Sequence, residues 1–367
     1  MGKKMKCLIF VGVALTMAVS LLFGACAVPA PTQTPSPTQT PSPTQTPTPP
    51  PSEEIIEITL CGALPSGGYK WSTEYIAENL EIISNGRMQV EIVWGEAILP
   101  TEEHLTGLKN NAFDLVTTWD GYFTPKMPVL EAQEWSSLFL NRAEDVWAMY
   151  EHWGWGEIMQ KEYDKWNTHL VTAWGDYPSD GLYSKVPIGS IDDLKGMKIR
   201  AAGGIPVVLE ELGAQTVWLP GEEVYTALGS GLVDAAHYSG PATAFGFGWQ
   251  EVTQYWLGPP FLGQAYCAQL LSNQGFWDSL SEADQALIFN VARSGGIVDA
   301  GFAGWYENTV ALGKARDAGI EVVYWSDEDL KKWKAAVLKT IPEPTDPIAQ
   351  EAFQAMFDYI RFAGYVD

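Results

Sequence analysis

The chain reads DDLKGMKIRAAGG over residues 192–204, and this stretch decides the predicted fold. Apolar residues predict a short strand over 197–201, two glycines then turn the chain into a helix near 205–212, and a second strand is predicted over 216–219. Such a β-α-β unit binds ligands beyond the carboxyl ends of its strands. Arg200 lies at one of these ends, where a guanidinium can pair bidentately with a carboxylate. The alternative is a surface ion pair, which arginines form more often.

The rest of the chain repeats this alternation of strands and helices. Further strands are predicted over residues 56–60, 88–93, 114–117, 169–174, 266–271 and 320–325. Helices lie between most of them, which predicts an α/β protein with a mainly parallel sheet. The turn-rich segment 176–180 is the predicted first crossing between two lobes. We therefore assign residues 54–177 and 266–305 to lobe I, and residues 178–265 and 306–367 to lobe II.

One helical pattern is longer than a domain of this size. It begins with Ser281 and Asp284, a capping pair, and continues to about residue 318. At about 1.5 Å per residue the helix would exceed roughly 50 Å. It would therefore have to lie across both lobes. Glycines at 295, 296, 301 and 304 weaken the helix or permit a kink.

Composition limits the class of partner. A chain of 367 residues with 46% hydrophobic residues is long enough for two domains with substantial cores. Its formal charge is −23, and this becomes −26 without the three N-terminal lysines. Such an acidic surface argues against nucleic acid or an anionic membrane surface as the partner. The 16 Trp, 15 Tyr and 14 Phe residues are expected in the core or along a concave ligand site.

The N-terminal region has the features of a secretory signal. Residues 1–25 combine a basic start with an apolar run, and small residues stand directly before Cys26. This resembles a bacterial lipoprotein signal in which Cys26 is lipidated, and an uncleaved membrane anchor is the alternative. Residues 26–53 are mostly Pro, Thr, Gln and Ser, and predict an extended tether that reaches at most roughly 80 Å. Both interpretations place the folded part outside the cytoplasm, held at the outer face of the cytoplasmic membrane, in a periplasm or at the cell surface.

The sequence lacks the common motifs for catalysis and metal binding. His-x-x-x-His and Cys-x-x-Cys spacings are absent, as are the Gly-x-Ser-x-Gly, Walker and dinucleotide glycine patterns. We therefore expect neither an enzyme nor a metal or cofactor site. Cys61 and Cys267 fall in predicted strands, where a disulfide and two buried free thiols are both open.

The order of these pieces resembles the solute-binding proteins of tripartite ATP-independent periplasmic (TRAP) transporters, the family typified by the C4-dicarboxylate binding protein. Residues 192–200 match the family's most specific motif, and residues 223–234 match its second. Weaker similarity covers residues 54–324. The resemblance implies a two-lobed, periplasmic-binding-protein-like α/β fold with a long helix spanning both lobes, which closes on a small organic anion. Arg200 stands where the family has its carboxylate-binding arginine.

Two residues depart from the family pattern. Residues 219–221 and 240–241 resemble the branch that binds 2-oxo acids, in which a Glu-Trp pair helps to hold a metal ion beside the substrate. This chain has His237 and Tyr238 at that place. Because a neutral imidazole is a poor ligand for Na⁺ or Ca²⁺, we predict no metal and expect both side chains to donate hydrogen bonds to the substrate. For His237, a structural place in the pocket wall is the alternative.

The predicted substrate site combines residues from both lobes. Arg200 pairs with the carboxylate, and the other predicted lining residues are Trp119, Asp120, Tyr122, Tyr183, Trp218, His237 and Tyr238. The resemblance implies docking on the membrane subunits of a TRAP permease, with lipidated Cys26 as the membrane contact and without a cofactor. The alternatives are a binding module of a sensor or of an ABC-type importer, and a secreted enzyme on the same scaffold.

Overall fold

The computed structural model describes residues 54–63, 65, 67–176, 180–259, 262 and 265–366. The predicted signal, the tether and Cys26 lie outside these ranges, as do residues 177–179 of the predicted crossing. Within the described ranges, no helix has both the length and the apolar character that crossing a membrane requires.

The described chain forms two sheets and the helices that cover them. Its strands are β1 (Ile56–Gly62), β2 (Met88–Trp94), β3 (Leu115–Trp119), β4 (Thr168–Gly175), β5 (Gly181–Ser184), β6 (Lys198–Arg200), β7 (Gln215–Val217), β8 (Ala235–Tyr238), β9 (Tyr255–Leu257), β10 (Cys267–Asn273) and β11 (Glu321–Val323). Its helices are α1 (Gly67–Ile83), α2 (Gly95–Ile98), α3 (His104–Lys109), α4 (Leu130–Ser137), α5 (Ala143–His152), α6 (Trp155–Tyr163), α7 (Ile205–Glu211), α8 (Gly221–Ser230), α9 (Pro241–Gly246), α10 (Gln274–Ser279), α11 (Glu282–Val298), α12 (Asn308–Asp317), α13 (Asp327–Thr340) and α14 (Pro347–Phe362).

The first sheet has the strand order β2-β1-β3-β10-β4. Strand β1 is parallel to β2 and β3, whereas β10 is antiparallel to β3 and β4. Alternate apolar residues of β1, Ile58 and Leu60, pack against Ile76 and Leu80 of α1, as the period of two along a strand requires. Strand β10 confirms the predicted return of the chain to this sheet.

The second sheet has the order β11-β9-β5-β8-β6-β7 and contains the predicted β-α-β unit. Strand β6 is parallel to both β7 and β8, and α7 connects β6 to β7. Strand β5 runs antiparallel to β8 and β9, so this sheet is mixed, not mainly parallel. The strand bearing Arg200 therefore lies next to the strand that ends at Tyr238, with their carboxyl ends at the same edge.

The long helix is present and continuous from Glu282 to Asp317. Its first part packs on α1 and β4 of the first sheet, and its last part packs on α9 and β11 of the second. Ser281 accepts a hydrogen bond from the Asp284 N–H at 3.2 Å, as the capping pair predicts. The turns between residues 299 and 307 are π-helical, and this wider segment lies where the helix passes from the first sheet to the second. The prediction of a helix spanning both lobes is confirmed.

Close packing fixes the middle of this helix against β4. A Cβ on Gly296 would lie 2.4 Å from Trp174 Cγ, so only glycine allows the indole to approach. The Trp174 indole N–H donates to Asp299 Oδ2 at 3.0 Å. Cys61 and Cys267 are buried free thiols, and this settles the alternative left open by the sequence.

The two C-terminal helices pack on different parts of the molecule. Helix α13 packs on α7 beside the second sheet, whereas α14 packs on α4 and α6. The Tyr359 hydroxyl donates to Asp145 Oδ1 at 2.8 Å, and Lys161 pairs with Glu351 at 2.7 Å. The residue bounds predicted for the two lobes stay a prediction.

Candidate ligand-binding site

Arg200 is held in one orientation at the end of β6. Its Nε donates to the Leu219 carbonyl at 3.0 Å, and its Nη1 donates to the His237 carbonyl at 2.9 Å. The guanidinium carbon lies 4.9 Å from the centre of the Tyr238 ring, within the range of a cation–π contact. The residue is only 6% exposed, and this burial lowers the pKa of the guanidinium from its ordinary value. Among the described residues, these two hydrogen bonds leave the Nη2 group unused.

His237 and Asp180 form a buried pair beside Arg200. The His237 Nε2 lies 3.0 Å from Asp180 Oδ2, and the Tyr266 hydroxyl donates to the same oxygen at 2.8 Å. Asp180 also exerts an electrostatic effect on Arg200. The His237 side chain, which we expected to donate to the substrate, therefore contacts Asp180 through its Nε2. The backbone carbonyl of the same histidine orients the guanidinium.

Three aromatic residues connect this pair to the first sheet. Trp119, at the end of β3, makes edge-to-face contacts with Tyr122 at 5.1 Å and with Tyr266 at 5.4 Å between ring centres. Since Tyr266 also binds Asp180, aromatic residues from the first sheet reach the charged groups of the second. Trp119 and Tyr122 lie at the carboxyl end of β3, as the sequence predicts.

Asp120 lies behind these aromatics and is completely buried. Its Oδ2 accepts hydrogen bonds from Gln269 Nε2 at 2.9 Å and from the Tyr150 hydroxyl at 3.3 Å. Burial, reinforced by the charge of Glu134, raises the pKa of Asp120 well above its usual range. Asp120 is therefore part of a buried polar network.

Glu134 belongs to the site although the sequence did not single it out. Its carboxylate accepts the Gly204 N–H, and a Cβ on Gly203 would lie 3.1 Å from its Oε2. Burial and the charge of Asp180 raise the pKa of Glu134 to about 7. The carboxylate of α4 thus reaches the glycine turn that follows Arg200. Gly203 has φ +68°, a conformation that favours glycine, and this turn is the one signal in the sequence for a close approach.

Two of the predicted lining residues lie apart from this cluster. Tyr183 is fully buried in the core of the second sheet, between Trp249 and Trp256, and its hydroxyl donates to the Ser239 carbonyl at 2.6 Å. Trp218 follows β7 and is 66% exposed. Tyr183 therefore supports the strand ends, and Trp218 stands on the surface near Leu219.

The chemistry of the site is that of recognition by charge and hydrogen bonds. The fixed guanidinium of Arg200 is affected by the charge of Asp180, Asp180 acts in turn on Glu134, and Glu134 acts on the buried Asp120. Among the described residues, no group of three or more His, Cys, Asp or Glu side chains is arranged to hold a metal ion.

Comparisons of sequence give consistent results. A family model described as bacterial extracellular solute-binding protein, family 7, matches residues 69–344. A monocarboxylate 2-oxoacid-binding periplasmic protein of Nostoc is 27% identical over 214 residues, and the match spans 58% of this chain and 58% of that protein. A solute-binding protein of Albidiferax ferrireducens is 25% identical over 276 residues, which is 72% of this chain and 77% of that protein.

Solved structures share the fold at lower identity. A TRAP periplasmic solute-binding protein from Ochrobactrum anthropi has a TM-score of 0.74 and 21% identity, with 85% of this chain and 96% of that chain covered. The apo ectoine-binding protein TeaA has a TM-score of 0.72 and 18% identity, with coverage of 84% and 100%. A TRAP solute-binding protein from Bordetella bronchiseptica, with copurified calcium and picolinate, has a TM-score of 0.69 and 18% identity, with coverage of 85% and 94%.

The family match covers most of the folded chain, and the solved structures share its fold. This family is one of solute-binding proteins, not of enzymes. The chain therefore belongs to family 7 of the bacterial extracellular solute-binding proteins.

Proposed function

We propose that this protein captures a small organic acid outside the cytoplasm and delivers it to a TRAP-type permease. The observation that carries the proposal is Arg200, whose guanidinium is buried and oriented by two carbonyls through Nε and Nη1, which leaves Nη2 for a ligand among the described residues. A desolvated and fixed guanidinium binds a carboxylate more strongly than an exposed one. The 2-oxoacid-binding Nostoc relative supports a carboxylate ligand.

We further propose that the two lobes close on the bound ligand. Trp119, Asp120 and Tyr122 lie in the predicted lobe I (residues 54–177 and 266–305), and Arg200 lies in the predicted lobe II (residues 178–265 and 306–367). A ligand that contacts both lobes favours the closed form by its differential affinity. The permease subunits would then bind the closed receptor in preference to the open one.

The proposed location rests on the N-terminal sequence. Lipidation of Cys26 would tether the receptor through the Pro- and Thr-rich residues 26–53 to the outer face of the membrane. Mass spectrometry of the N-terminal peptide from membrane-extracted protein tests this, with a lipid-modified Cys26 expected. An unmodified Cys26, or a retained residue 25, counts against it.

The role of Arg200 is tested by calorimetric titration with a panel of mono- and dicarboxylates. We expect Arg200→Ala to weaken binding of the best acid by about 100-fold, because a charge-assisted pair is lost. Arg361→Ala removes an exposed arginine of α14 and is the matched control, with affinity unchanged. If Arg200→Ala binds that acid as tightly as the wild type does, the proposed function loses its main support.

A further inference from the structure

We propose that the long helix is the interface of a homodimer, in which its exposed aromatic face packs on the same face of a second copy of this chain. This inference does not depend on the proposed ligand. The face, here called the aromatic stripe, consists of the residues described as exposed between positions 297 and 310 of the helix. They are Ile297, Gly301, Phe302, Trp305, Tyr306, Thr309 and Val310.

The first observation is that no residue of the aromatic stripe carries a charge. Other exposed helix faces of this protein are charged, as in α13, where Asp327, Glu328, Lys331 and Lys332 are exposed. The formal charge of the whole chain is −23, and this opposes the association of two copies through most of the surface. At the aromatic stripe two copies meet without like charges facing each other.

The second observation is the exposed apolar area. Ile297 is 71% exposed, and Phe302, Trp305 and Tyr306 are between 43% and 50% exposed. Trp71 of α1 extends the stripe, because its ring lies edge-to-face against Phe302 at 5.2 Å and is itself 40% exposed. Since a buried aromatic side chain covers about 150–250 Å², the stripe offers on the order of 600 Å². Two copies would bury on the order of 1,200 Å², which is enough for a specific interface.

The third observation concerns two glycines on the same side of the helix. Gly301 and Gly313 stand in helical turns, neither has a positive φ, and a Cβ on either would meet no atom within 4 Å. Glycine is a poor helix former, and nothing in the described part of the monomer requires it at these two positions. Gly296 differs, because the Trp174 indole needs the space. The two open glycines form hollows that allow another surface to approach closely.

A second copy fits these hollows. In a two-fold symmetric pair of antiparallel helices, each copy presents the same residues to the other. With the axis at Trp305–Tyr306, Gly301 lies opposite Val310 of the second copy. Gly313 then lies opposite Val298. Each hollow therefore receives a valine, and the rings meet at the centre, as knobs and holes do between packed helices.

The aromatic stripe and the ligand site lie on different sides of the long helix. On the buried side, Asn308 accepts the Ala242 N–H at 2.8 Å and lies against Gly240. These two residues follow β8, the strand that ends at Tyr238 beside Arg200. A dimer through the stripe therefore leaves Arg200 accessible to an acid.

Sedimentation equilibrium of the full mature chain tests the inference. The chain carries Cys26→Ser, so that lipidation cannot itself cause association. We expect a dimer with a dissociation constant of roughly 10 μM, because the interface is at the lower end of the usual size.

Two substitutions and one control locate the interface. Trp305→Glu brings like charges together at the two-fold axis and should raise the dissociation constant at least about 100-fold. Leu338→Glu changes an exposed leucine of α13 outside the stripe and should leave it within about twofold. Gly301→Gln fills a hollow and should raise the dissociation constant about tenfold. Its monomer should melt at the same or a higher temperature, because glutamine favours the helix and meets no atom there.

A wild-type chain that stays monomeric at about 100 μM would overturn the inference. A dimer that Trp305→Glu leaves intact would do the same, because its interface would lie elsewhere. If Trp305→Glu does not fold, the same reasoning applies to Gly301→Gln. Loss of acid binding in a folded Trp305→Glu would assign the stripe to the ligand site instead. Sedimentation of the monomer with phosphatidylcholine vesicles would assign it to a membrane.

Discussion

Arg200, here called the basic end of the site, and the carboxyl groups of Asp120 and Glu134, here called its acidic end, are held in different ways. Arg200 has its direction fixed by the backbone carbonyls of Leu219 and His237, which side-chain replacement cannot remove. Asp120 depends on the side chains of Gln269 and Tyr150, and one of its oxygens has no donor in the described part of the chain. The orientation of Arg200 is therefore set by the main chain, whereas that of Asp120 is set by neighbouring side chains.

Among the predicted substitutions, removal of the Gln269 side chain should have the largest effect, and the quantity it changes is the free energy of unfolding. Its Nε2 donates to Asp120 and to the Tyr150 hydroxyl, and its Oε1 accepts from the Tyr163 hydroxyl at 2.5 Å. Gln269→Leu leaves these buried groups unpaired, and we expect a loss of about 3 kcal/mol in the free energy of unfolding. Urea denaturation of the ligand-free protein measures it.

Gln354→Leu is the control for this change. Gln354 is exposed on α14 and binds only Asp358 among the described residues, so its loss should cost less than about 0.5 kcal/mol. Equal stability of the two variants would show that the acidic end does not depend on its buried network.

The raised pKa of Glu134 should be visible in the pH dependence of the free energy of unfolding. Its folded pKa of about 7 exceeds the ordinary value of 4.5, so the folded state binds more protons than the unfolded state between these pH values. Stability contributed by this group is therefore full below pH 4.5, falls as pH rises, and is lost by about pH 7. At pH 7.5 we expect Glu134→Gln to be more stable than the wild type by on the order of 2 kcal/mol, or about 3 °C in Tm.

Other groups must be separated from this effect. The pKa values of Asp120 and Asp299 are also raised by burial, so their contributions run in the same direction and remain in the variant. Arg87 lowers the pKa of Asp284, whose stabilisation is instead lost as pH falls below the ordinary value of 3.8. The difference between wild type and Glu134→Gln, measured by calorimetric melting from pH 5 to 8, isolates Glu134. A difference that does not change with pH contradicts the assignment.

Replacement of Tyr238 should have the smallest effect, because the carbonyls already fix Arg200. The Tyr238 ring lies against the guanidinium at 4.9 Å, and such a contact contributes about 1 kcal/mol. We expect Tyr238→Leu to weaken acid binding by about fivefold, whereas Tyr238→Phe, which keeps the ring face, stays within about twofold. Titration of the same acid measures both. A loss in Tyr238→Leu as large as that in Arg200→Ala would show that the ring, and not the carbonyls, orients the arginine.

Local patterns in the sequence were sufficient to predict the basic end. A short apolar strand ended by Arg200 and two glycines is a pattern within thirteen residues, and the long helix needs only its cap and its period. The resemblance to the family then added the two lobes. The second sheet is more mixed than predicted, because the direction of β5 depends on partners far away in the chain.

The acidic end could not be predicted in the same way. Glu134 and Gly204 are seventy residues apart in the sequence, and Asp180 and His237 are fifty-seven residues apart. Short sequence motifs therefore could not predict either contact. Tyr183 shows a second difficulty, because an aromatic residue in a strand can lie in the core or in a pocket and the sequence does not distinguish the two. The structure has Tyr183 in the core. Pockets assembled from distant residues are visible only after folding.

The central claim is that a carboxylate of the ligand pairs with Arg200, and a crystal structure of the protein with its copurified or titrated ligand tests it most directly. The account predicts a carboxylate oxygen about 2.8 Å from Arg200 Nη2, with Nε and Nη1 still on the Leu219 and His237 carbonyls. A ligand bound with no acidic group at Arg200, or bound elsewhere in the molecule, would contradict it.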